Sequence, residues 1–92
     1  MENKVYKNKN MIRTKHHVQR FVYCNGPLEA ERFMTLYGDK YDSVNIFKPS
    51  SSRDYYGVAG MIKKSEFDEI VKAIGLIKVK GTRYWKTETA SV

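Results

Sequence analysis

The side chains in this sequence with chemistry to offer are cations and aromatic rings set close together. They fall in "SSRDYYGVAGMIKK" (residues 51–64) and "KVKGTRYWK" (residues 78–86). Arg53 beside Tyr55, and Lys78, Lys80, Arg83 and Lys86 beside Tyr84 and Trp85, form the mixture that holds a polyanion. Cations pair with phosphates, and rings offer faces on which bases stack. Arg20, Phe21 and Tyr23 repeat the mixture in "QRFVYC", and Lys48 adds a cation just before "PSSS". These positions are the candidate contact surface for a partner or a nucleic acid.

The groupings that catalysis requires do not assemble. No serine, histidine and aspartate stand in a catalytic context, no glycine-rich loop follows a strand, and no cysteine set has zinc spacing. "GVAG" (residues 57–60) is too short for a phosphate loop and sits inside a strand pattern, so its glycines permit a bulge or a close backbone approach. His16 and His17 point to opposite faces of an extended segment and lack further ligands, which makes them a strand entrance rather than a metal site. Cys24, the single cysteine, has no histidine or acid at a motif spacing and reads as a small buried hydrophobe. It cannot bridge within the chain, which fits a reducing cytosol. The expectation is a protein that is not an enzyme and uses no cofactor and no metal.

Charge is unevenly spread. The chain carries a formal net charge of +7 over 92 residues. Residues 1–20 contribute +5 and residues 76–92 contribute +3, while the stretch between them sums to −1. A chain basic at both ends attracts a polyanion or an acidic protein face; the plainer reading is a solubilising surface. No apolar run nears the length that spans a bilayer, and the basic N-terminus lacks the apolar stretch of a signal peptide, so a soluble intracellular protein without membrane contact is expected.

These side chains need elements to position them. Residues 1–14 form a polar, basic N-terminal arm without periodicity, either flexible or a weak edge strand, and residues 15–92 form a single α+β domain. "HHVQRFVYC" alternates, with Val18, Val22 and Cys24 on one face and Gln19, Phe21 and Tyr23 on the other. Pro27 opens a helix whose apolar stripe is Ala30, Phe33, Met34 and Tyr37, and Gly38 is placed to end it in a left-handed conformation. Glu29 and Glu31 suit the positive end of that helix. "YDSVNIFK" and "RDYYGVAGMI" predict two strands joined as an antiparallel hairpin through "PSSS". Ser65 and Asp68 offer a capping pair for a second helix with the stripe Phe67, Ile70, Val71 and Ile74, closed by Gly75. "LIKVKGTRYWKTE" predicts either a terminal hairpin, turning at "GT" with glycine first, or one bulged strand through Gly81.

The resulting order, strand–helix–strand–strand–helix–strand, predicts a four-stranded antiparallel sheet with two helices on one face, the ferredoxin-like arrangement, with an optional C-terminal hairpin. The other face stays open, which allows one alternating set of residues to be aromatic without being core. In this topology the chain resembles RNA-recognition domains, which stack bases on their first and third strands. Arg53, Tyr55 and Val58 match that family's basic, aromatic and valine positions on the third strand. Asp54, Tyr56 and Gly57 depart from it, and Gly57 removes a stacking ring. The alternative packs Tyr55 and Phe21 under the N-terminal arm or in a dimer interface. The segment "GLIKVKGTRYWK" is similar to the wing of winged-helix transcription regulators, although a strand precedes the second helix.

In length, basic character and lack of catalytic apparatus the whole chain is similar to the small phage-encoded anti-CRISPR proteins, in particular inhibitors of type I-F surveillance complexes. That resemblance implies a stoichiometric inhibitor in the cytoplasm of an infected bacterial host. Its partner would be the host CRISPR surveillance ribonucleoprotein, through protein subunits and guide RNA, and its effect a block of target DNA binding. Steering by charge and an aromatic anchor such as Trp85 or Tyr55 suit that role. An autonomous RNA- or DNA-binding module and a small winged-helix-type regulator remain the alternatives, and monomer or dimer stays open.

Overall fold

The computed structural model describes residues 17–91; the N-terminal arm and His16 lie outside the described residues. Alternation in the first strand segment produces β1 (His17–Cys24), and Pro27 at the first helical turn starts α1 (Pro27–Tyr37). A short 3-10 turn (Gly38–Lys40) leads into β2 (Tyr41–Phe47), followed by β3 (Tyr56–Lys63), α2 (Lys64–Ile74), β4 (Ile77–Lys78) and β5 (Trp85–Lys86). The sheet has five strands in the order β2-β3-β1-β5-β4. β1 and β2 each run antiparallel to β3, β5 runs parallel to β1, and β4 returns antiparallel to β5.

The α+β class and the pair of helices agree with the sequence reading, while the all-antiparallel four-stranded sheet does not. The terminal segment is a hairpin, not one bulged strand, and its returning arm takes the inner place beside β1. The physical reason lies in which arm carries the anchors. Ile77 and Lys78 of β4 are exposed, whereas Trp85 meets the Phe67 ring edge-on at 5.5 Å and Thr87 and Ala90 are buried. The Thr87 N–H donates to the Tyr23 carbonyl at 3.1 Å and prolongs the parallel pairing. The hairpin turn spans Val79 to Thr82, with Thr82 N–H donating to the Val79 carbonyl at 3.1 Å. Gly81, at φ 79°, occupies its second central position, so the glycine comes second rather than first.

One face of the sheet carries both helices. Phe33 and Ala30 from α1, and Phe67 and Ile70 from α2, share one buried cluster with Val22, Cys24, Val58 and Ile62. Phe67, Ile62, Ile70, Val22 and Val58 are fully enclosed, each contributing roughly 1.5–3 kcal/mol relative to exposure. Two helix boundaries differ from expectation. Gly38 is right-handed at φ −59°, so the chain tightens into the 3-10 turn instead of stopping there. α2 begins at Lys64 and no side chain caps it; Asp68 pairs with Lys64 Nζ at 3.4 Å. Gly75 does close α2 in the left-handed conformation, φ 69°.

Glycines 57 and 60 are explained by close approach. A Cβ on Gly60 would lie 1.9 Å from the Ser43 carbonyl oxygen, where β2 shifts register between Tyr41 and Ser43. A Cβ on Gly57 would lie 2.5 Å from Cζ of Phe21, on the opposite face. Among the described residues no helix is long and apolar enough to cross a membrane.

Candidate functional site

The face of the sheet away from the helices is aromatic. The two-residue period of β1 puts Phe21 and Tyr23 there, and the register opposes them with Ala59 and Gly57 on β3. Because those partners are small, the β1 rings lie across β3 instead of standing beside rings of its own. Phe47, at the end of β2, stacks on Phe21 at 5.5 Å and 18°. Tyr55 meets Tyr23 edge-on at 4.5 Å and Phe21 at 6.1 Å. Tyr84, from the hairpin, completes the group at 5.2 Å from Phe21 and 5.5 Å from Tyr23. Pairs of this kind contribute about 0.5–1.5 kcal/mol each beyond area burial.

The sequence pattern ran the third strand from Arg53; it starts at Tyr56. Arg53 lies in the preceding loop, in an isolated bridge to Ser50, and Tyr55 sits at a bend. Tyr55 nevertheless joins the open-face cluster, while the half-buried Tyr56 packs against the core on the helix side. Tyr23 is buried beneath its neighbours. Desolvation, then hydrogen bonding and charge proximity of Tyr55, push its hydroxyl up to about 12.

Cations rim this cluster. The Arg53 guanidinium sits 5.0 Å from the centre of the Phe47 ring. Gln19, Arg20, Phe21, Phe47, Arg53, Tyr55, Ala59, Arg83 and Tyr84 line a concavity of about 610 Å³. A second concavity of about 250 Å³, lined by Arg20, Lys78, Arg83 and Trp85, shares Arg20 and Arg83 with the first. Arg20 lies 5.5 Å from the Phe67 ring centre and donates from a terminal nitrogen to the Gln19 carbonyl at 3.0 Å. The Nε atoms of Arg20 and Arg53 are enclosed and, among the described residues, have no hydrogen-bond partner.

The structure thus brings Arg20, Phe21, Tyr23, Arg53, Tyr55, Arg83 and Tyr84 together, with Lys78 and Trp85 at the adjoining edge. Trp85 is half-buried against Phe67, with the Lys78 ammonium 6.0 Å from its ring centre, so it packs on the core more than it projects. Tyr84 is the exposed ring, at 41%. Lys86 stands opposite Tyr23 in the parallel register. Lys48 and Lys80 are exposed and line neither concavity. The β4–β5 hairpin forms the sheet margin instead of standing free as a wing.

Two contributors escaped the sequence reading. Phe47 alternates onto the open face, and that signal was available once the second strand was placed beside the third. Glu29 was assigned to the helix dipole, but its carboxylate also ties down the C-terminal segment. Thr87 Oγ1 donates to it at 2.6 Å, and Thr89 Oγ1 and the Asn25 N–H donate as well. Burial acts to raise the Glu29 carboxyl, but these donors outweigh it and hold the group below its ordinary value.

Cys24 is buried, and desolvation, aided by the Glu29 charge, raises its thiol to about 12, so the thiolate nucleophile is suppressed. Among the described residues no three histidine, cysteine or acidic side chains gather as a metal site. Compared with family models, curated proteins and solved structures, the chain matches none.

Proposed function

We propose that this chain is a non-enzymatic phage inhibitor of the anti-CRISPR type. It docks on a host CRISPR RNA-guided surveillance complex through the open sheet face and blocks target DNA binding. The observation that carries the reading is one concavity in which Phe21, Phe47, Tyr55 and Tyr84 meet Arg20, Arg53 and Arg83, with no carboxylate among the described residues of its lining. Rings and arginines at the centre of a patch are the residue types that dominate binding energy, and a basic rim steers the approach to an RNA-bearing groove. The resemblance in size and charge to phage inhibitors supplies the partner, and the partner places the action in the cytoplasm of the infected host.

The test is a target-DNA binding assay with purified type I-F surveillance complex. Adding the protein in molar excess abolishes DNA binding on this reading, and the protein co-elutes with the complex after nuclease treatment. DNA binding that persists at saturating protein refutes it.

A second reading is an autonomous single-strand-binding module, favoured by the common face of Phe21, Tyr23 and Tyr55. It differs in what it requires. Such a module binds free RNA tightly at low salt and loses affinity steeply toward physiological salt, as phosphates neutralised by cations release counterions. An inhibitor binds free nucleic acid weakly and gains its affinity from the assembled complex.

A further inference from the structure

The geometry points to a two-nucleotide site for single-stranded nucleic acid in the two joined concavities, with the linking phosphate held between Arg20 and Arg83. This deepens the proposed function and rests on it: the component of the complex that the face touches is nucleic acid, not a protein subunit.

The site lies where, among the described residues, the sheet is short along one edge. β5 pairs with Val22 and Tyr23 only, so among the described residues nothing in the sheet continues beside residues 17–21 of β1 on that side. Arg20 and Arg83 stand at this notch and belong to both concavities. Arg53 joins them in lining the larger concavity and Lys78 in lining the smaller. Four cations therefore line two adjoining concavities whose described lining has no acid to neutralise them.

A closed ion-pair network would have supplied acceptors for these arginines. Instead, among the described residues no carboxylate lines either concavity beside Arg20, Arg53 and Arg83, which leaves the guanidinium charge uncompensated there. Phosphate oxygens match guanidinium in charge and in its forked geometry.

Both halves also contain rings, the exposed Tyr84 in the larger and the half-buried Trp85 in the smaller. An acidic peptide backbone needs only the cations of two chambers that share Arg20 and Arg83, and makes no general use of the rings. A nucleotide step does, with a base in each chamber and the charge between them. The larger chamber, about 610 Å³, lies within the range of small-ligand sites.

The experiment is a titration of the isotopically labelled full chain with tetrauridylate, followed by NMR at the arginine Nε–H and Trp85 indole signals. Hexaglutamate and inorganic phosphate serve as comparison probes. The inference expects weak, saturable shifts of the Arg20, Arg53 and Trp85 signals with tetrauridylate, and an apparent affinity at least fivefold lower in Arg83→Gln. Hexaglutamate should leave them unmoved. Because Arg83 is exposed, the variant's remaining spectrum reports directly that it is folded. Unmoved signals, equal shifts with hexaglutamate, or unchanged affinity in a folded Arg83→Gln would overturn the inference. The surveillance-complex assay on the same preparation separates the two claims. Retained inhibition without tetrauridylate shifts removes the two-nucleotide site and leaves the inhibitor reading standing. Shifts without inhibition remove the inhibitor reading, and with it the assignment of this nucleic acid to the complex.

Discussion

Replacing Glu29 by alanine tests how the C-terminal hairpin is held against the domain. β5 contributes two residue pairs to β1, which is too little to fix an arm that carries Arg83 and Tyr84 to the site. The Glu29 carboxylate adds the constraint through Thr87, Thr89 and the Asn25 N–H. Asn25 and Thr89 are exposed, so water replaces the carboxylate there at little cost. Thr87 is 9% exposed, and its stranded hydroxyl costs about 1–3 kcal/mol. Loss of the carboxylate from the first turn of α1 adds roughly 0.3–1 kcal/mol. The expected loss is about 2 kcal/mol, equivalent to a fall in Tm of roughly 8–16 °C for a domain of this size. Urea denaturation of Glu29→Ala, Thr87→Val and the double variant measures it. The double-mutant cycle should return a coupling energy of about 1 kcal/mol, and hydrogen exchange should quicken at residues 85–90 in each variant. The pH dependence follows from the lowered Glu29 carboxyl. Its contribution is complete above the unfolded glutamate value of about 4.3 and is lost as pH falls through the lower folded value, so wild type and Glu29→Ala converge in acid. A coupling energy below about 0.3 kcal/mol, within the additivity error, would refute the clasp.

Gly60→Ala drives a methyl into the Ser43 carbonyl, a backbone atom that cannot swing away; it should cost about 3 kcal/mol, at the upper end of overpacking, read from the urea midpoint. Gly57→Ala pushes on the Phe21 ring, which Tyr23, Phe47, Tyr55 and Tyr84 already confine. A loss of about 1–3 kcal/mol with altered near-ultraviolet circular dichroism is expected, and an unchanged spectrum would mean that the cluster is loose. Burial raises the hydroxyls of both Tyr23 and Tyr41. Their stabilisation is therefore complete below the unfolded tyrosine value of about 10 and is lost as pH rises through the folded values. Thermal melts from pH 8 to pH 11 should show a falling Tm, with a shallower fall in Tyr23→Phe.

Local pattern determined much of this protein. Alternation in "HVQRFVYC" placed Val22 and Cys24 toward the helices and Phe21 and Tyr23 away from them, because side-chain direction in a strand repeats every two residues. The stripes of the two helices, Pro27 at the start of α1 and Gly75 at the end of α2 were legible for the same reason: each follows from the geometry of neighbouring residues. The parting of Tyr55 from Tyr56 onto opposite faces was legible too, although the strand begins one residue later than Tyr55.

Tertiary structure decided the rest. Which arm of the terminal hairpin lies beside β1 depended on where Trp85 and Thr87 find Phe67 and Glu29, contacts far apart along the chain that no local period encodes. That choice made the sheet mixed, left residues 17–21 of β1 without a strand neighbour on that side among the described residues, and brought Arg83 to the concavities that Arg20 lines. Gly57 and Ala59 read in sequence as a missing stacking ring; in three dimensions they are the floor across which the β1 rings lie. Propensity and periodicity act over a few residues, whereas the basic, ring-lined notch is set by the docking of a segment some 60 residues from its anchor Glu29, a distance that only packing spans.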